Sequence, residues 1–282
     1  MEKVAAIILN YNSSKDCEKC LSYISKQDYE DISVVVVDNA SPDPSEKNRL
    51  VSLQERYQFE LIFSSKNQGF SAGNNIGLKW ANEIGASWAL IINPDVELRN
   101  SKYISYVMRE KEKWVKVAVI GTDVRLPSGE RQNPQRESSY WESVLWPIET
   151  LKSKIDKKRN RYLCENTTGY CEKVTGACFF IELSAAREMG YLDENVFMYS
   201  EEAILSAKVK GLGKKLLYVS GVTANHEHYA AKKANSAGRM IKFLKSREYY
   251  YTNYSDYESW QIKLIQVSMF FERMYWRLRK TK

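Results

Sequence analysis

Short apolar runs that stop abruptly in polar clusters set the pattern of the N-terminal part of the chain. Val4-Ala5-Ala6-Ile7-Ile8-Leu9 stops in Asn10-Tyr11-Asn12-Ser13-Ser14. Ser33-Val34-Val35-Val36-Val37 stops in Asp38-Asn39-Ala40-Ser41-Pro42-Asp43, and Trp88-Ala89-Leu90-Ile91-Ile92 stops in Asn93-Pro94-Asp95. The runs are continuous rather than alternating, which predicts strands buried on both faces. A shorter strand is predicted from Phe59 to Phe63. Helical stretches separate them. One runs from about Lys15 to Ser25, with Cys17, Cys20, Leu21 and Ile24 on one face and Ser13 or Ser14 as N-cap. Another runs to about Tyr57, and a third from about Asn74 to Glu83, ending near Gly85. The order β-α-β-α-β is that of a parallel sheet with right-handed crossovers.

Further on, the pattern predicts a helix and then a strand, Val117 to Ile120, with a hairpin turn at Pro127-Ser128-Gly129-Glu130. From Gln132 to about Asn166 the chain is rich in Trp, Tyr, Lys and Arg and has little period. Its basic run, Lys152 to Arg161, is an acceptor loop or a solvated surface helix. Thr175 to Ile181 reads as a buried strand and Ala185 to Met189 as a helix capped near Gly190. Leu205 to Lys210 reads as a helix closed by Gly211-Leu212-Gly213, and Lys215 to Val219 as a last strand. A final helix is predicted from about Ser259 to Arg279. It carries Trp260, Leu264, Val267, Phe271, Met274 and Leu278 on one stripe, widened by Phe270 and Trp276; Lys263, Gln266, Arg273, Arg277 and Lys280 mark another.

Composition narrows the class. The 282 residues, 44% hydrophobic and 27% charged, suit one large domain, or one domain with an added segment. No apolar run approaches the roughly 20 residues that span a bilayer. The first apolar run is too short for a signal peptide and follows a single lysine, so a cytoplasmic protein is expected. Five cysteines, an odd number, argue against a disulfide framework. Cys17 and Cys20 have C-x-x-C spacing without a second pair or a nearby histidine, and a helix face explains them better than zinc or redox chemistry. Residues 231–282 hold twelve Lys/Arg against four Asp/Glu, so the net +7 of the chain is +8 there and −1 elsewhere. A basic tail points to an anionic partner.

The candidate chemistry sits where the strands stop. Pro94 has no N–H and ends its strand, so Asp95 emerges at the sheet's C-terminal edge, where open α/β sheets bind ligands. A carboxylate there holds a hard divalent cation whose shell a substrate's phosphates complete, unless Asn-Pro-Asp is only a turn. Asp38 stands where a ribose or base is usually read. The first turn has no glycines, which excludes a dinucleotide fingerprint. Gly69 and Gly73 allow a tight backbone before a helix whose N-terminus could face an anion, or a plain capped loop. His226 and His228, the two histidines of the chain, would share one face of an extended segment. Glu201-Glu202 opens a helix, where acids also serve merely to complement the dipole.

Leu9-Asn10-Tyr11-Asn12, Val37 to Asp43, Asn67-Gln68-Gly69-Phe70-Ser71-Ala72-Gly73-Asn74-Asn75 and Leu90 to Asp95 together resemble the family 2 glycosyltransferases, most of all the bacterial rhamnosyltransferase-like enzymes of polysaccharide assembly. The resemblance implies a GT-A fold: a Rossmann-like, mostly parallel central sheet flanked by helices, here with a C-terminal helical extension. It also implies an inverting mechanism, a UDP- or dTDP-sugar donor, and Mg²⁺ or Mn²⁺. By that likeness Asn10, Asn12, Asp38, Asn39, Gly69, Asn74 and Asn93 fall in the donor site. Asp38 contacts the uracil or thymine end, and Asp95 is the metal carboxylate of a DxD-like motif whose first Asp is Asn93 here. His226 matches a histidine that touches metal or diphosphate; His228 is a weaker match. Glu202 takes the place of the catalytic base. Two departures stand out: Glu202 replaces the usual Asp, and the further acid two residues on is Ile204. Ser246 to Asn253 is similar to the family's Tyr-Tyr-x-x-Arg-Asn segment, with Thr252 in place of Arg.

The implied arrangement is a glycosyltransferase domain over 1–230, with a donor half to about 100 and an acceptor half beyond, followed by a basic extension over 231–282. The acceptor implied is a glycan, lipid-linked, at the inner face of the cell membrane. Lys232-Lys233 and a Ser236–Gly238 loop are candidates to close over the donor phosphates. The last helix suits an anionic membrane interface, a packing face on the catalytic domain or a homodimer contact, and the pattern leaves these open. A nucleotidyltransferase would want a Gly-rich basic loop after the first strand, which Asn10–Ser14 is not. A catalytically weak paralogue acting as a scaffold stays open through Glu202 and Ile204. A nucleic-acid binder is disfavoured, because the basic excess lies on an amphipathic tail.

Overall fold

A computed structural model describes residues 1–149, 166–227 and 236–280. Nine strands form one sheet in the order β3-β2-β1-β4-β8-β6-β9-β5, with β7 beside β9. The first four are β1 (Val4–Asn10), β2 (Ile32–Asp38), β3 (Glu60–Phe63) and β4 (Trp88–Ile92). They are parallel, and Asn10 stands level with Asp38. The rest are β5 (Val96–Glu97), β6 (Val117–Arg125), β7 (Gly169–Cys171), β8 (Cys178–Glu182) and β9 (Lys215–His226). β8 enters antiparallel between β4 and β6, while β6 and β9 are parallel, so the sheet is mixed rather than parallel throughout.

The unbroken apolar runs are explained by helices on both faces. Val4, Ala6 and Ile8 face α1 (Ser14–Ile24) and α2 (Pro44–Tyr57), with α4 (Tyr103–Lys111) beyond them. Ala5 and Ile7 face α3 (Phe70–Glu83) and the core of α6 (Leu183–Glu188) and α7 (Glu201–Gly211). Successive strand residues point to opposite faces, so a two-sided core demands apolar residues at every position. Cys17 and Cys20 are free and buried on α1, pushed upward in pKa by burial, as the helix-face reading of C-x-x-C expects.

Four local departures from the sequence reading have physical causes. α3 begins at Phe70, four residues before the predicted start, because Gly69 at φ +97° turns the chain into the helix there. β9 runs on through Ser220-Gly221 to His226; a register shift at Thr122/Asp123 absorbs the irregularity, as a bulge does. A short helix, α5 (Tyr140–Val144), lies in the stretch without period, closed by a reciprocal Ser139–Glu142 capping box. Ser236–Gly238 is not a loop but the start of α8 (Ser236–Tyr254), which with α9 (Ser259–Lys280) forms a helical hairpin.

That hairpin has its own small core of Leu244, Tyr251, Ile265 and Met269. It leans on α5, where the Ser268 hydroxyl donates to the Val144 carbonyl at 2.6 Å. Trp276 packs inward with this core, whereas the predicted stripe of Trp260, Leu264, Val267, Phe271 and Met274 is exposed. No described helix is long and apolar enough to cross a membrane. The basic run Lys152 to Arg161, His228 and Lys232-Lys233 lie outside the described residues.

Candidate active site

The ends of β1 and β2 carry a buried hydrogen-bond network. Asn10, fully buried, donates to Asp38 Oδ1 at 2.8 Å, Ser41 Oγ at 3.2 Å and Glu46 Oε2 at 3.3 Å. Its carbonyl accepts from the Ser13 amide and hydroxyl. The Asn10 side chain is thus spent on the protein and holds Asp38, whose carboxylate also accepts from Ser41 N and Oγ. Glu46 was not marked by the sequence reading. It accepts from Ser14 N and Oγ, so it also satisfies the start of α1. Burial pushes its carboxyl up, but the bonds from Ser14, Asn10 and Arg49 outweigh that and hold it below the usual range. Asn12 sits in the left-handed region at φ +53°, its amide N–H on Ser41 Oγ and its side chain accepting from Asp43 N.

Asn39 and Asn74 end in orphaned acceptors. Asn39 donates to Asn67 Oδ1 and the Gly69 carbonyl, and Asn74 donates to the Phe70 carbonyl. Both side chains are buried, and both Oδ1 atoms lack a protein partner. Buried acceptors without donors are costly and mark places where a ligand or water completes the bonding. Gly69 itself is set by close approach: a Cβ there would overlap the Phe197 carbonyl, which accepts from Phe70 N at 3.0 Å. The first N–H of α3 is therefore engaged by protein rather than free for an anion.

Asp95 follows Pro94 in the turn after β4, where its Oδ1 lies 3.3 Å from His226 Nε2 at the end of β9. His226 Nδ1 lies 2.6 Å from Gln132 Oε1. An amide oxygen only accepts, so Nδ1 donates to Gln132 and the Nε2 edge of the ring is turned toward Asp95. A carboxylate and an imidazole side by side are donor types that a divalent cation takes, with Gln132 orienting the ring as outer-shell partners do. Among the described residues no three His, Cys, Asp or Glu side chains gather at one point. Asp16 on α1 feels the same site: burial, and then the charge of Asp95, raise its carboxyl. Asn93 is fixed by its backbone, N–H to the Ala177 carbonyl at 2.8 Å.

The Gly176 N–H, one residue from that carbonyl, donates to Glu202 Oε1 at 3.2 Å. Two neighbouring residues thus tie the Asn93–Asp95 turn to the first turn of α7. The loop before α7 is strained, with Tyr199 and Ser200 both left-handed at φ +75° and +64°. It is held from both sides. Asn75 clasps Leu192 and Glu194 from α3. From α8, Tyr249 and Tyr254 donate to Asp193 and Ser246 to the Met198 carbonyl. Glu201 lies deeper than Glu202. Its Oε2 lacks a partner, and burial, then the charge of Glu202, push its carboxyl up to about 8. Ile204, in place of an acid, is buried in the core.

Beside these two glutamates opens a cavity of about 270 Å³ lined by Tyr199, Phe243, Tyr250 and Tyr251, with Arg136 and Arg247. α8 supplies Phe243, Arg247, Tyr250 and Tyr251. The sequence reading marks Ser246 to Asn253 by its likeness to a family segment, but not as the wall of a cavity. The aromatic faces and guanidinium groups suit a sugar ring with hydroxyls or anionic groups around it.

A model of the glycosyl transferase family 2 matches residues 5–181, and the chain belongs to that family. The match covers the β1, β2, α3 and β4 motifs and stops before Glu202 and His226. The chain is 28% identical over 204 residues to the low-salt glycan biosynthesis hexosyltransferase Agl10 of Haloferax volcanii, covering 72% of this chain and 60% of that one. It is 23% identical over 252 residues to the N-acetylglucosaminyl-diphospho-decaprenol L-rhamnosyltransferase of Mycobacterium tuberculosis, covering 83% and 77%. The rhamnosyltransferase-like resemblance is borne out by these relatives. Among solved structures, GalNAc-T7 with UDP, GalNAc and Mn²⁺ superposes with TM-score 0.65 at 15% identity, over 95% of this chain and 54% of that one. PcManGT of Pyrobaculum calidifontis, a mannosyltransferase in complex with GDP-Man and Mn²⁺, gives 0.60 at 15%, over 95% and 68%. S. aureus TarS 1-349 with UDP-GlcNAc gives 0.58 at 17%, over 93% and 70%. At such identities the likeness establishes the fold, which is GT-A.

Proposed function

We propose that this chain transfers a sugar from a nucleoside-diphosphate donor to a hydroxyl of a glycan acceptor, with inversion at the anomeric carbon. One observation carries the reading: in the Gly176-Ala177 segment, the N–H of the first residue binds Glu202 and the carbonyl of the second binds the turn that carries Asp95. A carboxylate base and a cation-holding pair are thereby tied to one segment of the chain. Glu202 takes the proton of the acceptor hydroxyl. The oxygen attacks the anomeric carbon, the bond to the diphosphate breaks, and the nucleoside diphosphate leaves with the electron pair. Asp95 and His226 would hold Mg²⁺ or Mn²⁺, which supplies charge neutralisation to the diphosphate when bound. Asp38, with Asn39 and Asn74 as open acceptors, forms the nucleoside side, and the aromatic cavity of α8 forms the acceptor side.

UDP- and dTDP-sugars are the donors this reading favours. The mycobacterial relative's name specifies a sugar on a diphospho-decaprenol. By that likeness the acceptor is a lipid-linked glycan of a cell-surface polysaccharide, met on the cytoplasmic side. The test is calorimetric titration with UDP, dTDP, GDP and CMP, with and without Mn²⁺. Mn²⁺-dependent binding of UDP or dTDP is expected. Binding of none of the four would overturn the enzyme reading in favour of a scaffold.

A further inference from the structure

α9 has two apolar faces, and the protein uses one. On a helix turning about 100° per residue, Ile265, Met269 and Trp276 cluster on the side that meets α8, while Trp260, Leu264, Val267, Phe270, Phe271 and Met274 centre roughly 180° away. The second set is exposed: Trp260 by 62%, Phe271 by 57% and Val267 by 54%. Aromatic contacts carry it onto α5. Trp260 lies 6.3 Å from Tyr140 and Tyr275 lies 5.5 Å from Trp146, with Trp141 and Leu145 exposed alongside. Soluble monomers seldom leave so continuous an apolar surface to water.

Charge says what covers it. Lys263 and Arg277 are exposed along one border of the stripe, and Arg279 is exposed beyond it, over the rings of Tyr275 and Trp276. The one acid within α9, Glu272, is half-buried on the inward side near Arg247 and Trp276. Arg273 is already paired with Glu248. Within α9 the outward face thus offers cations without acids; Asp256 and Glu258, exposed just before it, lie off its N-terminal end. Two copies joined about a two-fold axis would bring that same acid-free border to both sides of the contact. An anionic lipid surface supplies the missing counter-charge and takes the aromatic and aliphatic side chains between its headgroups. No described helix can cross a membrane, so α9 would lie in the interface rather than span it.

We propose that the outward face of α9, continued by α5, docks this protein on the surface of an anionic bilayer. The docking is a property of the helical hairpin and is measured without donor, metal or acceptor, so it stands or falls separately from the catalytic reading. The full chain is mixed with vesicles of equimolar phosphatidylglycerol and phosphatidylcholine, or of phosphatidylcholine alone, and floated on a density gradient. Flotation with the anionic vesicles is expected, weaker with neutral ones and weakened by added salt. The double variant Phe270→Glu/Phe271→Glu is expected to lose binding roughly tenfold or more. Lys263→Glu/Arg277→Glu is expected to lose the preference for anionic lipid, with thermal midpoints unchanged because all four side chains are exposed. Failure to float with either vesicle overturns the proposal, as does undiminished binding by the Phe variant. Sedimentation of the lipid-free chain completes the test. A dimer that the Phe variant dissociates, without vesicle binding, assigns the face to a second copy and overturns the proposal.

Discussion

At the ends of β1 and β2, polar side chains are bonded mostly to one another within the first two β-α units; around Glu201 and Glu202 they are bonded across long stretches of chain. Asn10 binds Asp38, Ser41, Glu46 and Ser13 at once, and all of these residues lie within the first two β-α units. The glutamate side instead gathers a strained loop, an orphaned carboxyl oxygen and an aromatic cavity, from α7, α8 and the segment before α5. The first region is fixed before any substrate arrives. The second is assembled by long-range contacts, and each region keeps buried acceptors still to be met, Asn39 and Asn74 in the first and Glu201 in the second. A nucleotide is a constant ligand and an acceptor a variable one, and the two constructions suit that division of labour.

The sharpest test of the comparison is at Glu202. Glu202→Gln is expected to lower transfer by roughly 10²–10⁴-fold while nucleotide binding, read by calorimetry, stays unchanged. Loss of nucleotide binding in that variant would mean the two regions are one. Next in size is Gln132→Ala. Without its acceptor, His226 loses the bond that orients its ring, and Mn²⁺ affinity should fall roughly 10–100-fold in a metal titration followed by nucleotide binding. Gly69→Ala puts a Cβ into the Phe197 carbonyl at a positive φ. A loss of about 1–3 kcal/mol in denaturant unfolding is expected, with Mn²⁺-dependent nucleotide binding retained if the glycine serves the loop rather than the phosphates.

The smallest expected effect is a pH dependence. Glu201 has its pKa raised by burial and by Glu202, from 4.5 to about 8. In the folded state it keeps a proton that the unfolded chain releases, so its contribution is full below about pH 4.5 and is lost as pH rises through about 8. Glu201→Gln cannot ionise, so its thermal midpoint should fall less than the parent's between pH 5 and pH 8, by roughly 1 kcal/mol or more of differential stability. Parallel midpoint curves would show that Glu201 is not held protonated.

Much of the edge at the ends of β1, β2 and β4 was legible in the chain itself. Unbroken apolar runs mean two-sided burial, and a polar cluster after each run falls at the sheet's C-terminal edge. Strand β4 spans Trp88–Ile92 as predicted, and Pro94 ends it for the reason its missing N–H gives. Asp95 and His226 were each marked singly. Their 3.3 Å approach could not be, because it depends on β5 pairing with β9 across 131 positions of chain. Gln132, Glu46 and Asp193 were missed for the same reason: a lone polar residue has no local signature, and its partner lies far off in sequence.

The last helix shows where sequence information ends. Periodicity established that residues 259–280 form a helix with apolar positions over much of its girth. It could not say which side is inward, since both sides satisfy the same spacing. Packing against Leu244 and Tyr251 made that choice, turning Ile265 and Met269 in and Trp260, Val267 and Phe271 out. The sequence by itself determined the strands, their polar ends and the helix propensities, because these follow from backbone geometry over a few residues. Only the tertiary structure decided that Gly176 reaches Glu202, that Gln132 reaches His226 and that one face of α9 stays in water. Each of those contacts joins side chains that only the folded sheet brings within reach.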